Sequence, residues 1–222
     1  MNFANLRLAA AVKPAAGILL ALAFGANAAP GASTETLRFA IIRNGDQIGT
    51  HTVEINRGPK ETSVSMSTDL AVKVMFITAY HLQYTTSEKW VGGKLVALNS
   101  ESDDNGTKHK VSATLKQNGL EVDADGKTST VDKNIMPATL WNPEVVKRTQ
   151  LLDPKDGEVV PLTVTDQGPE DLTIEGKPVK AHHYALKAKF QQDVWYDGQG
   201  RLVQSSLVGP DGSVILYKPV AP

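Results

Sequence analysis

Thr62-Ser63-Val64-Ser65-Met66-Ser67-Thr68-Asp69-Leu70-Ala71-Val72-Lys73-Val74-Met75-Phe76 is the stretch whose reading decides the fold. Val64, Met66, Leu70, Val72, Val74 and Phe76 share one parity with Thr62 and Thr68, whereas Ser63, Ser65, Ser67, Asp69 and Lys73 take the other. A period of two places the first set on one face of a β-strand and the second on the face turned to water. No glycine or proline interrupts these 15 residues. At ~3.3 Å per residue such a strand would run about 50 Å, beyond the usual length, so it must bend, bulge or wrap. A long strand with one apolar face suits a sheet that twists and coils around its own apolar side. The expected fold is therefore all-β with one short helix: a strongly curved antiparallel sheet, an open or half barrel, with the helix as its cover.

Outward from this strand the signals are hairpins. From Val72 to Tyr80 apolar residues populate both faces, which predicts a covered segment or a hydrophobic edge. Then comes a unit that occurs twice: Ser87-Glu88-Lys89-Trp90-Val91-Gly92-Gly93-Lys94-Leu95-Val96 and Asp193-Val194-Trp195-Tyr196-Asp197-Gly198-Gln199-Gly200-Arg201-Leu202-Val203. Each copy is a strand, a glycine turn and a return strand opening on Leu-Val, which suggests two related meanders. The phase of the copies differs, because Trp90 follows Tyr80 by ten residues and Trp195 follows Tyr184 by eleven. Trp90 is expected to face inward with Tyr84. Trp195 does so only if one residue before it is bulged out; without a bulge the two indoles point to opposite sides.

Nearer the N-terminus, Leu37, Phe39 and Ile41 alternate toward an Asn44-Gly45 turn, and His51, Val53 and Ile55 share a face of the partner strand. Asn105-Gly106, Asn118-Gly119 and Asp125-Gly126 mark further hairpins. Asn142-Pro143-Glu144 reads as a helix start, with Asn as cap, Pro at the first position and Glu at the positive end. The helix is expected to reach Leu151 or Leu152, with Val145, Thr149 and Leu152 inward and Trp141 as its anchor. Gln167-Gly168-Pro169 and Glu175-Gly176-Lys177-Pro178 read as turns in the second half.

The first 28 residues carry the zones of a secretory signal: Arg7 and Lys13 without an acid, the apolar run Ala15 to Phe24, then Ala26-Asn27-Ala28. Cleavage after Ala28 would leave residues 29–222 as one β-rich domain in the periplasm or medium, without a membrane anchor. It would also leave 21 basic against 24 acidic residues. No basic stripe is present, so nucleic acid has no electrostatic footprint. The 222 residues contain no Cys, which excludes disulfides, thiol catalysis and Cys-bound zinc.

The chemistry-bearing residues do not assemble into a motif. His182 and His183 are adjacent and would point to opposite faces of a strand, so they do not make a metal pair, and no metal or other cofactor is expected. There is no Gly-x-Ser-x-Gly elbow and no phosphate-binding glycine loop leading into a helix, so no catalytic residue is assigned and a hydrolase is the weakest reading. The aromatic inventory remains. Tyr84, Trp90, Trp141, Tyr184 and Phe190, with Met66, are the candidate lining of a concave groove that takes a lipid or acyl group. The competing reading is an envelope-assembly module that receives a partner's peptide or strand in the groove or along Val72–Tyr80.

The Asn44-to-Gly49 hairpin, Glu88-Lys89-Trp90 with Leu95-Val96, Leu140-Trp141-Asn142, and Trp195-Tyr196-Asp197 with Leu202-Val203 together resemble an exported proteobacterial family classified as a domain of unknown function. That resemblance implies no catalytic residues. In architecture, long curved strands under a covering helix are also similar to the periplasmic half-barrel lipoprotein carriers. A shared architecture does not by itself carry their function.

Overall fold

The structure, a computed structural model, describes residues 32–74 and 77–220. The signal-like segment, its cleavage point, and Met75 and Phe76 at the end of the long alternation lie outside the described residues. The described residues form sixteen strands: β1 (Ser33–Arg43), β2 (Asp46–Arg57), β3 (Glu61–Val74), β4 (Ile77–Val91), β5 (Lys94–Asp104), β6 (Thr107–Leu115), β7 (Leu120–Ala124), β8 (Lys127–Val131), β9 (Met136–Pro137), β10 (Gln150–Leu152), β11 (Val159–Pro161), β12 (Thr163–Ile174), β13 (Lys177–Lys187), β14 (Gln191–Asp197), β15 (Leu202–Val208) and β16 (Val214–Pro219).

Thirteen of them make one antiparallel sheet in the order β12-β13-β14-β15-β16-β1-β2-β3-β4-β5-β6-β7-β8. Every neighbour is a hairpin partner except β16 and β1, which join the last strand to the first through Phe39↔Pro219 to Arg43↔Ile215. The curved sheet does not close, and β12 and β8 are its two edges. The chain between those edges, residues 132–162, turns onto the concave side. It includes the small sheet β11-β10-β9, in which β10 pairs antiparallel with β11 and parallel with β9.

Two kinds of residue make this curvature. Five hairpins turn on a pair of left-handed residues, Asn44-Gly45, Gly92-Gly93, Asn105-Gly106, Asp125-Gly126 and Glu175-Gly176, all at positive φ, the turn whose twist matches that of the strands. Bulges then bend the long strands. Ile48 is extra in β2, Ala79 in β4, Val96 in β5, Gln167 in β12 and Val203 in β15. At the first bulge a Cβ on Gly49 would stand 2.2 Å from the Asp69 carbonyl oxygen. Only glycine lets β2 and β3 approach so closely there.

Three expectations need correction. The helix is a single 3-10 turn, Pro143–Lys147. Its start is as expected, since Asn142 Oδ1 accepts from the Glu144 N–H at 3.0 Å. It stops because Val145-Val146 and Thr149 are β-branched and Gln150–Leu152 finds strand partners on both sides. Val145 and Leu152 are buried, but Thr149 is exposed. Gln167-Gly168-Pro169 is no turn: β12 runs through it with Gln167 bulged, so Asp166 pairs Tyr184 and Gly168 pairs His183. The cover of the sheet is thus an irregular segment with three short strands.

The repeat takes the second of its two expected alternatives, the one without a bulge before Trp195. Both hairpins carry their bulge at the Val of Leu-Val, so Trp90 pairs Leu95 and it is Tyr196, not Trp195, that pairs Leu202. Tyr196 is therefore the counterpart of Trp90, and Trp195 that of Lys89. No bulge precedes Trp195 in its pairing with β13, and the two indoles point to opposite sides of the sheet. Trp90 enters the core, whereas Trp195 is covered on the convex side by His183, whose ring stacks on it at 4.2 Å, and donates to Glu170 Oε2 at 2.8 Å.

Candidate functional site

Along the inward face of β4 lie Tyr80, Leu82, Tyr84, Thr86, Glu88 and Trp90, and this one row passes through two different environments. At the Trp90 end the concave side is filled. Leu140, Trp141, Val145, Leu151, Leu152 and Val160 of the covering segment share one core with Trp90, Leu98 and Leu120 of the sheet. Trp90 and Trp141 meet edge to face, with ring centroids 5.7 Å apart. Both indoles donate to one oxygen, Glu88 Oε2, at 2.7 and 2.8 Å. Glu88 is only 3% exposed, and its burial pushes the carboxyl upward from its ordinary range. Opposite, the Tyr196 hydroxyl donates to the Leu140 carbonyl at 2.8 Å. That bond holds a leucine whose φ is 62°, a conformation costly for a side chain with a Cβ.

Toward the other end of the same row the concave side is open. A cavity of about 890 Å³ lies there, floored by Ala138, Thr139 and Leu140. Phe39 and Tyr217 reach it from the β1–β16 junction, and Met66, Leu70, Leu82 and Tyr84 from β3 and β4. Phe190 enters from the β13–β14 connection. His51 stands among the aromatics, 5.9 Å from the ring of Phe39 and 5.7 Å from that of Tyr217, and its Nδ1 is 2.8 Å from the Thr68 hydroxyl. Burial holds the His51 pKa down at about 4, so the ring is neutral at physiological pH. Burial likewise raises the Tyr84 and Tyr217 hydroxyls above their ordinary range. Among the acidic and basic side chains of the lining only Asp153 is buried, 6% exposed, and it faces Lys189.

Charges gather at the mouth and are paired there. Arg43 binds Asp211, with its Nε on Ser213 Oγ at 2.9 Å. Lys155 Nζ lies 3.2 Å from Asp104 Oδ2. Lys189 Nζ lies 2.8 Å from Asp153 Oδ2 and also contacts Asp156.

Of the six residues singled out from sequence, Met66, Tyr84 and Phe190 line this cavity together. Trp90 belongs to the filled end, and Trp141 spans from that core to a separate pocket of about 240 Å³ beside Asn142 and Arg201. Tyr184 packs over the core between His182 and Tyr196, with centroids 4.7 and 6.4 Å away. Sequence reasoning did not single out His51, Tyr217 or Leu140 as lining. The parity of His51 with Val53 and Ile55 was the available signal for one of them.

The remaining polar groups do not converge on a reacting centre. His109 pairs with Asp125 at 2.6 Å, His182 with Asp166 at 2.5 Å, and His183 with Asp193 at 2.9 Å, each at a separate place. Among the described residues there is no group of three His, Asp or Glu side chains placed to hold a metal. Nor is any helix there long and apolar enough to cross a membrane.

Comparison with known proteins agrees with this architecture. A family model described as "Domain of unknown function (DUF6134)" matches residues 39–220. No curated protein matches the chain. Among solved structures, the crystal structure of a beta-barrel-like protein of domain of unknown function DUF1849 from Brucella abortus superposes with a TM-score of 0.64 at 12% identity. The match covers 83% of this chain and 94% of that one. At that identity the likeness shows the fold.

Proposed function

The chain belongs to the DUF6134 family, and we propose that it is a binding module whose concave face takes an apolar ligand, a lipid or an acyl group, in the periplasm or outside the cell. The observation that carries this reading is the cavity. Its volume of about 890 Å³ falls in the range of small-molecule sites, and Phe39, Met66, Leu70, Tyr84 and Phe190 give it apolar walls. A core of this size would gain by collapsing onto itself unless something held it open. Here the bent frame does so: β1 to β4 are tied by long antiparallel ladders, and the floor is pinned by Tyr196 and by the Glu88 clamp.

One feature favours the second reading, a partner peptide in the same groove. Ile77, at the start of β4 and two pairs along the ladder from the cavity-lining Val72 and Tyr80, is 74% exposed. Native mass spectrometry of the purified chain separates the two. A co-purifying species of lipid mass, removed by organic extraction, supports the apolar ligand. A bare mass, with no uptake of a neutral fluorescent probe such as N-phenyl-1-naphthylamine, sinks that reading and leaves the peptide.

A further inference from the structure

We propose that the occupant of this cavity is an amphiphile whose slender apolar tail lies inside and whose head carries no net charge. The inference rests on the apolar-ligand reading and adds the identity of the head. It follows from where the charges are. The lining contains three cations, Arg43, Lys155 and Lys189, and each already faces a carboxylate at the mouth. Lys189 faces three, since Glu158 Oε2 stands 3.5 Å from its Nζ beyond Asp153 and Asp156.

An incoming carboxylate or phosphate monoester would have to displace Asp211 from Arg43 or Asp104 from Lys155, leaving that aspartate unpaired beside the ligand. Breaking a partly desolvated pair costs more than the replacement returns. A cationic head meets the same problem at Asp104 and Asp211, each held by one Lys or Arg, and at the buried Asp153 it would compete with Lys189, which Asp156 and Glu158 share. Moving a charged head inward is no remedy. Inward it would meet the neutral ring of His51, the hydroxyls of Thr68, Tyr84, Tyr217 and Ser205, the already paired Asp153, and hydrocarbon, none of which offers a charged head a free counter-charge. A zwitterionic head, or an uncharged polyhydroxyl one, can instead lie across the intact pairs, using the unengaged lone pairs of the aspartates and the unengaged hydrogens of the Lys and Arg heads.

The test uses the purified chain and four probes with the same dodecyl tail, each below its micelle concentration, competing with N-phenyl-1-naphthylamine. They are dodecylphosphocholine, dodecyl maltoside, dodecanoate and dodecyltrimethylammonium. Displacement by the phosphocholine or the maltoside at concentrations about tenfold lower than by either ion is the expected result. The relative order of those two says whether the head is zwitterionic or uncharged. Dodecanoate or dodecyltrimethylammonium binding as tightly as the net-neutral probes overturns the head-group inference while the apolar site stands. If the dye does not bind at all, the apolar site itself falls and the inference with it. Asp211→Asn gives an independent check, since it frees Arg43 while keeping an acceptor for Ser213. It should improve dodecanoate relative to dodecyl maltoside by about fivefold at low salt, where the freed charge is least screened. An unchanged ratio would show that the paired rim does not govern head-group choice.

Discussion

The two ends of the concave face are built from the same strands, yet one is filled and the other is open. At the filled end polar groups of large side chains pair inward: two indoles meet on Glu88 Oε2, and Tyr196 meets the Leu140 carbonyl. At the open end the charged groups pair with one another around the cavity, and the interior is mostly apolar with neutral polar groups such as His51 and Thr68. The difference follows from where the covering segment sits. Residues 132–162 bring Leu140, Trp141, Val145, Leu151 and Leu152 onto the filled end and reach the cavity only with its floor and the Asp153–Lys155 edge. Stability should therefore be concentrated at one end and binding at the other.

The strongest test of that division is Trp90→Ala. It removes a 5% exposed indole, its contact with Trp141 and one of the two hydrogen bonds to Glu88. A loss of about 3–5 kcal/mol in urea unfolding is expected, as for other buried aromatic truncations. Tyr84→Ala, in the same inward row of the open end, should cost clearly less and weaken probe binding more. Equal costs would mean that the open end is as much a part of the core as the closed one.

The ends should also titrate in opposite senses. At the open end, His51 keeps a pKa near 4 in the folded chain against 6.5 for the free side chain. Its stabilising contribution is full above pH 6.5 and is lost as the pH falls toward 4, because the unfolded chain takes up a proton that the folded chain refuses. Full linkage for that shift would be worth about 3 kcal/mol, and access of water through the cavity lowers the expectation to about 1–2 kcal/mol. Glu88 at the filled end is displaced the other way, its carboxyl raised by burial, so its contribution is largest in acid and declines as the pH rises through the folded pKa. Urea midpoints from pH 7 to pH 4 should thus fall less steeply in His51→Asn than in the parent chain and more steeply in Glu88→Gln. Parallel profiles for all three would contradict the assignment of these groups to two different environments.

Filling the open end makes a third comparison. Leu207 of β15 is half-buried against the cavity, and Leu207→Trp should occupy part of it. Probe affinity is expected to fall about tenfold, equivalent to about 1.4 kcal/mol, with thermal stability unchanged or slightly raised. If the affinity stays the same, the ligand lies elsewhere.

How much of this was legible depends on the range of the contact involved. The long alternation of Thr62 to Phe76 and the Asn-Gly and Asp-Gly turns act between neighbours in the chain, and they imply a bent antiparallel sheet before any coordinates are seen. Met66 and Tyr84 could be placed on the concave side by parity alone. The junction of β16 with β1 could not, because Tyr217 and Phe39 are brought together across the length of the chain and neither carries a local sign of its partner. The Trp unit misleads for a different reason. Aligning Trp90 with Trp195 matches residue types, whereas the structure matches Leu95-Val96 with Leu202-Val203, whose valines are bulged in both copies. Asn142-Pro143-Glu144 is similarly a sound start signal that says nothing about length, and the strand partners of Gln150–Leu152 end the turn early.

The smallest effect bears most directly on the true counterpart of Trp90. Tyr196→Phe keeps the ring in the core and removes only the hydroxyl that donates to the Leu140 carbonyl. That carbonyl sits in the filled end with the acceptor buried, so losing its donor should cost about 1 kcal/mol. Tyr196 and Trp90 hold the covering segment from opposite halves of the sheet, and Leu140, at φ 62°, lies between the tyrosine's anchor and the cavity floor. Once released, Leu140 can leave its left-handed conformation, which offsets part of that loss and shifts the floor. The variant should therefore combine a small loss of stability with a measurable change in probe affinity. Lys89→Ala, at the position equivalent to Trp195 on the convex side, removes an exposed salt bridge to Glu61 and should change neither by more than about 0.5 kcal/mol. If Tyr196→Phe proves as silent as Lys89→Ala in both measurements, the floor is not held from the second hairpin, and the filled end depends on the Glu88 clamp alone.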